Sequence, residues 1–134
     1  MKSIYSLKGR NLFKDVYLKG RRIQDTGIRV YTLKSKIRED VKPENSGNGL
    51  HRIKNIKIAI ALTRSFGKSH IRNKAKRRIR AICTELLSDF KEGFFIIIRI
   101  DSDFSNYTFE DQKRIIITLF TRAGLLNTNA HKSV

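Results

Sequence analysis

From Ile56 to Ile100 the spacing of apolar residues changes twice, and that change sets the terms for any fold the chain can adopt. In Ile56-Lys57-Ile58-Ala59-Ile60-Ala61-Leu62 every second residue is large and aliphatic, the two-residue period of a strand with one buried face. From Ile71 to Phe90 the apolar positions Ile71, Ala75, Ile79, Ile82, Cys83, Leu86, Leu87 and Phe90 fall within about half the circumference of a helix. Phe94 to Ile100 is apolar almost without a break, as in a strand that lies centrally in its sheet. A strand, a long helix and a second strand follow one another, so helices must pack on a sheet.

The flanking segments extend that plan. Leu12, Phe13, Val16 and Tyr17 form the stripe of a short helix ending near Gly20. Arg22 to Gln24 and Ile28 to Leu33 flank the turn cluster Asp25-Thr26-Gly27, which predicts a hairpin. In its second strand Ile28, Val30 and Thr32 face one way, and Arg29, Tyr31 and Leu33 the other. Residues 35–54 hold the only proline, Pro43, and Asn45-Ser46-Gly47-Asn48-Gly49, and are expected to form a long loop. A last helix is expected from Thr108 to Ala123, with Thr108 and Asp111 at its start, a stripe of Ile115, Ile116, Leu119 and Phe120, and Gly124 at its close. The expected fold is an α/β (α+β) two-layer sandwich in the order αβββαβα, with a sheet of about four strands. One domain covers residues 1–125, followed by a polar tail at 126–134.

Charge then narrows the function. The chain of 134 residues carries 29 Lys and Arg against 12 Asp and Glu, a formal net charge of +17. Such self-repulsion points to a polyanionic partner. With 40% apolar residues spaced periodically, the charge sits on a folded scaffold rather than a disordered tail. No acidic residue occurs between Asn45 and Thr84, and within that stretch Arg64, Lys68, Arg72, Asn73, Lys74, Lys76, Arg77 and Arg80 are candidate RNA-binding residues. A solvated helix face normally mixes signs, because like charges one turn apart repel. Arg grips phosphates with a planar fork and Lys meets them as a point charge. Gly67 suits a tight turn before this run, and Asn73 can donate and accept at once. On an ideal helical wheel Arg72 and Lys76 fall toward the apolar side, so the first turn is expected to be irregular.

Phe13, Tyr17 and Tyr31 form a second constellation, an aromatic helix face beside the open side of a sheet, suited to stacking on unpaired bases. Each ring taken singly fits a core position equally well. The small, basic face of Lys57, Ala59 and Ala61 either leaves room for a ligand or is an ordinary exposed surface.

Other classes find little support. The apolar stretches are too short to span a bilayer, and no Trp is available to anchor a basic helix on a membrane. The opening MKSIYSLKGR lacks the apolar core of a secretory signal, so the cytoplasm is the expected location. Cys83 is the sole cysteine and has no disulfide partner, and His51, His70 and His131 are too scattered for a metal site. His70 lacks a carboxylate partner nearby in sequence. Asp101 and Asp103 could flank a metal ion as nuclease carboxylates do, but their position between a strand and a helix fits turn and capping use better. No catalytic residue is expected on this chain.

The run Phe66-Gly67-Lys68-Ser69-His70-Ile71-Arg72-Asn73-Lys74-Ala75-Lys76-Arg77-Arg78-Ile79-Arg80 resembles the signature of the bacterial ribonuclease P protein family, built on Arg-Asn-Arg followed by Lys-Arg and a further Arg. The resemblance extends to Leu7-Lys8, Phe13-Lys14-Asp15-Val16-Tyr17, Gly20 and Val30-Tyr31-Thr32-Leu33, and covers residues 4 to 125. It departs in three places: Lys74 stands for the motif's second Arg, Phe66 replaces a smaller aliphatic residue, and the loop at 35–54 is long. Lys74 keeps the charge without the planar fork.

The resemblance implies a left-handed βαβ crossover carrying the basic motif. It also implies an endoribonuclease that acts as an RNA–protein holoenzyme in tRNA 5′ maturation. Catalysis belongs to the partner RNA, and Mg2+ is bound mainly by that RNA and not by the protein alone. By the same resemblance Phe13, Tyr17 and Tyr31 would line a cleft for the 5′ leader of precursor tRNA, and Arg72, Asn73, Lys74, Lys76, Arg77 and Arg80 would face RNA. The competing expectation is a ribosomal or RNA-chaperone protein that binds many RNAs alike.

Overall fold

The computed structural model describes Leu7, residues 9–34 and residues 56–127. Helix α1 (Arg10–Lys19) leads into a hairpin of β1 (Arg21–Asp25) and β2 (Ile28–Lys34), whose register leaves Thr26 and Gly27 as a two-residue turn. Strand β3 (Ile56–Leu62), a 3-10 turn at Arg64–Phe66, helix α2 (Ser69–Leu86) and strand β4 (Phe94–Ile100) follow. A second 3-10 turn at Leu87–Asp89 follows α2, and a third at Ser102–Asn106 precedes helix α3 (Phe109–Arg122). The expected loop at 35–54 lies outside the described residues.

The strands form one sheet in the order β1-β2-β4-β3. Strand β4 pairs antiparallel with β2 and parallel with β3, so its two neighbours explain its nearly unbroken apolar run. The parallel pairing makes β3, α2 and β4 a βαβ unit.

Alternation divides the side chains between two cores. Ile28, Val30, Ile56, Ile58, Ile96, Ile98 and Ile100 meet Ala75, Ile79, Ile82, Cys83 and Leu86 of α2, and Ile116, Leu119 and Phe120 of α3. Full burial of each large aliphatic side chain there is worth about 1.5–3 kcal/mol. The opposite face carries Tyr31 and Ile97, on which Val16 of α1 and Leu7 are buried. Helix α1 therefore adds partial cover to a face that α2 and α3 leave alone.

Several boundaries shift from the sequence expectation. Helix α2 stops at Leu86, and Phe90 instead bridges to Leu126 beyond a 3-10 turn. Ile71, expected in the apolar stripe, is 42% exposed, and the buried residues of α2 begin at Ala75. Leu126 is buried, and the Asn127 amide donates to the Asp89 carbonyl, so the core extends past residue 125. The rest of the tail lies outside the described residues. Thr108 caps α3 as expected, its hydroxyl accepting from the Asp111 amide at 3.1 Å.

Candidate RNA interface

The segment from Leu7 through α1 crosses the open face of the sheet from β3 to β2. At one end the Leu7 amide donates to the Ile58 carbonyl of β3 at 3.0 Å. At the other, Gly20 sits where an added Cβ would lie 2.8 Å from the Thr32 carbonyl oxygen of β2. Only a residue without a side chain lets the helix end come this close to the strand. Val16 turns fully inward, while Leu12, Phe13 and Tyr17 remain half-buried along the helix flank. The Tyr17 ring meets Tyr31 edge-on at a centroid separation of 4.7 Å. Phe13, Tyr17 and Tyr31 thus belong to one cluster, together with Ala59 and Ala61. The sequence put the rings at the same site; it did not show that Tyr31 is 8% exposed beneath α1.

The remainder of this face is basic. Cross-strand rows run through Leu33–Phe95–Lys57, then Tyr31–Ile97–Ala59, then Arg29–Arg99–Ala61. Arg22 joins the same face opposite Tyr31. Beyond the last row the Thr63 amide bonds the Ile100 carbonyl, and the chain turns through Gly67 (φ 71°) into α2. Glycine adopts this positive φ without the strain that a side chain would bring.

Helix α2 begins at that rim. Arg64, Lys68, Asn73, Lys74, Arg77 and Arg80 are exposed; Arg72, Lys76 and Arg78 are half-buried. The Arg72 guanidinium reaches back to the Thr63 carbonyl at 3.4 Å, which accounts for its place toward the apolar side of the wheel. No ion pair among the described residues involves a cation of Arg64–Arg80; the acid nearest along α2, Glu85, pairs with Lys113 of α3. The first turn of α2 has no acidic residue and its N-terminus no side-chain cap. Positive side chains and free backbone donors therefore add at one place.

His70 is exposed, and no group of three His, Cys, Asp or Glu among the described residues could hold a metal ion. Asp101 gives no side-chain cap to the 3-10 turn that follows it, although its backbone joins Gly27 and Phe104 there. Cys83 is buried against the sheet, and burial pushes its thiol up to about 12. No helix among the described residues is long and apolar enough to cross a membrane.

Comparison with known proteins gives this arrangement its context. A ribonuclease P protein component of Symbiobacterium thermophilum is 29% identical over 126 residues, covering 94% of this chain and 96% of that protein. One from Bacillus cereus is 26% identical over 125 residues, covering 93% and 96%. The solved structure of the Staphylococcus aureus RNase P protein matches the fold with a TM-score of 0.73 at 21% identity, over 92% of this chain and 98% of that one. The Thermotoga maritima RNase P protein matches with a TM-score of 0.68 at 21% identity, over 87% and 96%. The family model of ribonuclease P matches residues 1–124, from α1 through the end of α3, and the chain belongs to the family of bacterial ribonuclease P protein components.

Proposed function

We propose that the chain binds the catalytic RNA of ribonuclease P through α2 and holds the single-stranded 5′ leader of precursor tRNA in the cleft between α1 and the open sheet face. The observation that carries this reading is the continuity of two surfaces. A half-buried aromatic cluster with Ala59 and Ala61 beside it shares the open sheet face with Arg22, Arg29 and Arg99, and that face ends at a helix start whose cations have no acidic partner among the described residues. Stacking tolerates any base, so the half-buried Phe13 and Tyr17, backed by the buried Tyr31, suit a leader of variable sequence. Arg64, Lys68, Arg72, Asn73, Lys74, Lys76, Arg77 and Arg80 supply the phosphate contacts.

The chemistry falls to the RNA and the Mg2+ it holds. Neutralising phosphates with fixed cations lowers the Mg2+ needed to bring two polyanions together, and the leader contact raises substrate affinity. A precursor-tRNA substrate puts the particle in the cytoplasm. The test is cleavage of a precursor tRNA by a bacterial ribonuclease P RNA at low Mg2+, with and without the protein and with a protein-only control. Mature 5′ ends only in the combined reaction support the reading. Cleavage by protein alone, or an inactive mixture in which the protein still binds assorted RNAs, overturns it.

A further inference from the structure

Strand β4 reads Phe-Phe-Ile-Ile-Ile-Arg-Ile, and its one cation, Arg99, lies in the middle of the sheet. Its direct cross-strand partner on β2 is Arg29. Like charges placed opposite each other destabilise a sheet. The rest of that row offers no relief: Gln24 pairs with Arg29 on the outer side, and Ala61 with Arg99 on the inner side. No strand position on this face carries a carboxylate. Asp101, two residues on, forms no ion pair with Arg99 among the described residues. The Nε of Arg99 is buried and has no hydrogen-bond partner. A buried donor left without an acceptor is costly.

An anion held by the terminal nitrogens of the two guanidinium groups would offset the repulsion, with the buried Nε fixing the Arg99 side chain within the sheet face. Ala61 leaves space beside it. The pair sits one register row beyond Tyr31, about 7 Å along the strand, which is about one nucleotide step of an extended single strand. It lies on the side that leads to Thr63 and the start of α2.

We propose that Arg29 and Arg99 form a phosphate clamp on the open sheet face that holds one phosphodiester of a single-stranded RNA, next to a base stacked on Tyr17. In the holoenzyme that strand is the 5′ leader, so this part rests on the function proposed above.

The experiment has two arms, each run with the parent protein, Arg99→Gln, Arg29→Gln, the double variant and Arg99→Lys. In the first, the free protein is titrated with a labelled single-stranded RNA oligomer across a salt series. In the second, the holoenzyme reconstituted with ribonuclease P RNA is titrated with precursor tRNA bearing a long or a one-nucleotide leader. The clamp predicts roughly tenfold weaker oligomer binding for Arg99→Gln and a log–log salt slope flatter by about 0.7. Arg99→Lys restores most of the affinity. In the holoenzyme the loss appears with the long leader and not with the short one. Thermal unfolding of the free Gln variants should give a Tm equal to or above the parent's, since a repulsion has been removed.

Unchanged oligomer affinity and salt slope in the double variant overturn the clamp. A lower Tm for Arg99→Gln overturns it too, by showing that the guanidinium is structural. Weaker oligomer binding but no leader-length effect in the parent holoenzyme keeps the clamp and removes the leader reading on which its biological role rests.

Discussion

The Tyr17 ring stands edge-on to Tyr31, with ring centroids 4.7 Å apart and planes inclined at 72°, so a residue of α1 and a residue of β2 fix each other's orientation on the open face of the sheet. Tyr31 is nearly buried, whereas Tyr17 keeps an exposed flank. Tyr17 is therefore the ring a base can reach. Replacing it with Ala should weaken binding of a long-leader precursor tRNA by about 1–2 kcal/mol, roughly 5- to 30-fold. A precursor with a one-nucleotide leader should bind as before. Equilibrium titration of both substrates against the reconstituted holoenzyme measures this, and equal losses on both would show that Tyr17 acts by holding α1 in place.

The cations of α2 make a prediction of a different form. Lys68, Lys74 and Arg77 are exposed and without ion pairs among the described residues, so each can neutralise a phosphate without first giving up another partner. The triple change to Gln should leave the urea midpoint of the free protein nearly unchanged. It should reduce the magnitude of the log–log salt slope for the catalytic RNA by about 0.9 for each phosphate no longer neutralised. Arg72 should behave otherwise, because its guanidinium also bonds the Thr63 carbonyl. Arg72→Ala should cost about 0.5–1.5 kcal/mol of stability in addition to RNA affinity, visible as a lower urea midpoint.

Much of this was legible along the chain, because strand and helix periods differ and each buried face here is nearly pure. The alternation at 56–62, the helix through Ile79 and Ile82, and the cap at Thr108 all follow from local sequence. Packing between distant segments was not. Nothing near Tyr31 announces that Val16 and Leu7 will cover it, since that needs α1 to fold back across β4 and β3. Leu126 reads as the start of a polar tail, yet it bridges Phe90. The position of β4 between β2 and β3 is what sets Arg99 opposite Arg29, and no spacing within one strand reveals its neighbour.

Gly20 links stability to the seat of α1 on the sheet. Its backbone is extended (φ −75°), so conformation does not demand glycine; space does. An added Cβ would lie 2.3 Å from the Val16 carbonyl oxygen and 2.8 Å from that of Thr32, both of which are backbone and cannot swing aside. Gly20→Ala should therefore lift the end of α1 from β2 and cost about 1–3 kcal/mol. The expected record is a Tm lowered by several degrees, with leader affinity falling alongside it while affinity for the catalytic RNA through α2 persists.

Cys83 offers a reading of the main core that is independent of RNA. The thiol is buried among the side chains of α2 and the sheet, and that burial raises it from 9.0 to about 12. In the native protein it stays neutral and inaccessible, so a thiol reagent should react only as fast as the fold opens. The linkage has a definite sign. Above pH 9.0 the unfolded chain releases this proton while the folded chain keeps it, so the unfolded state binds fewer protons and stability falls with rising pH. The contribution is fully present below pH 9.0 and is lost progressively toward 12. The useful quantity is the difference between the parent and Cys83→Ala, in which every group common to the two proteins cancels. At neutral pH the parent should be the more stable, by the packing of one sulfur atom. From about pH 9 upward its urea midpoint should fall toward that of Cys83→Ala and then below it. A gap that stays constant from about pH 8 to about pH 10.5 would mean that the thiol is not held neutral, and that the seam between α2 and the sheet admits water.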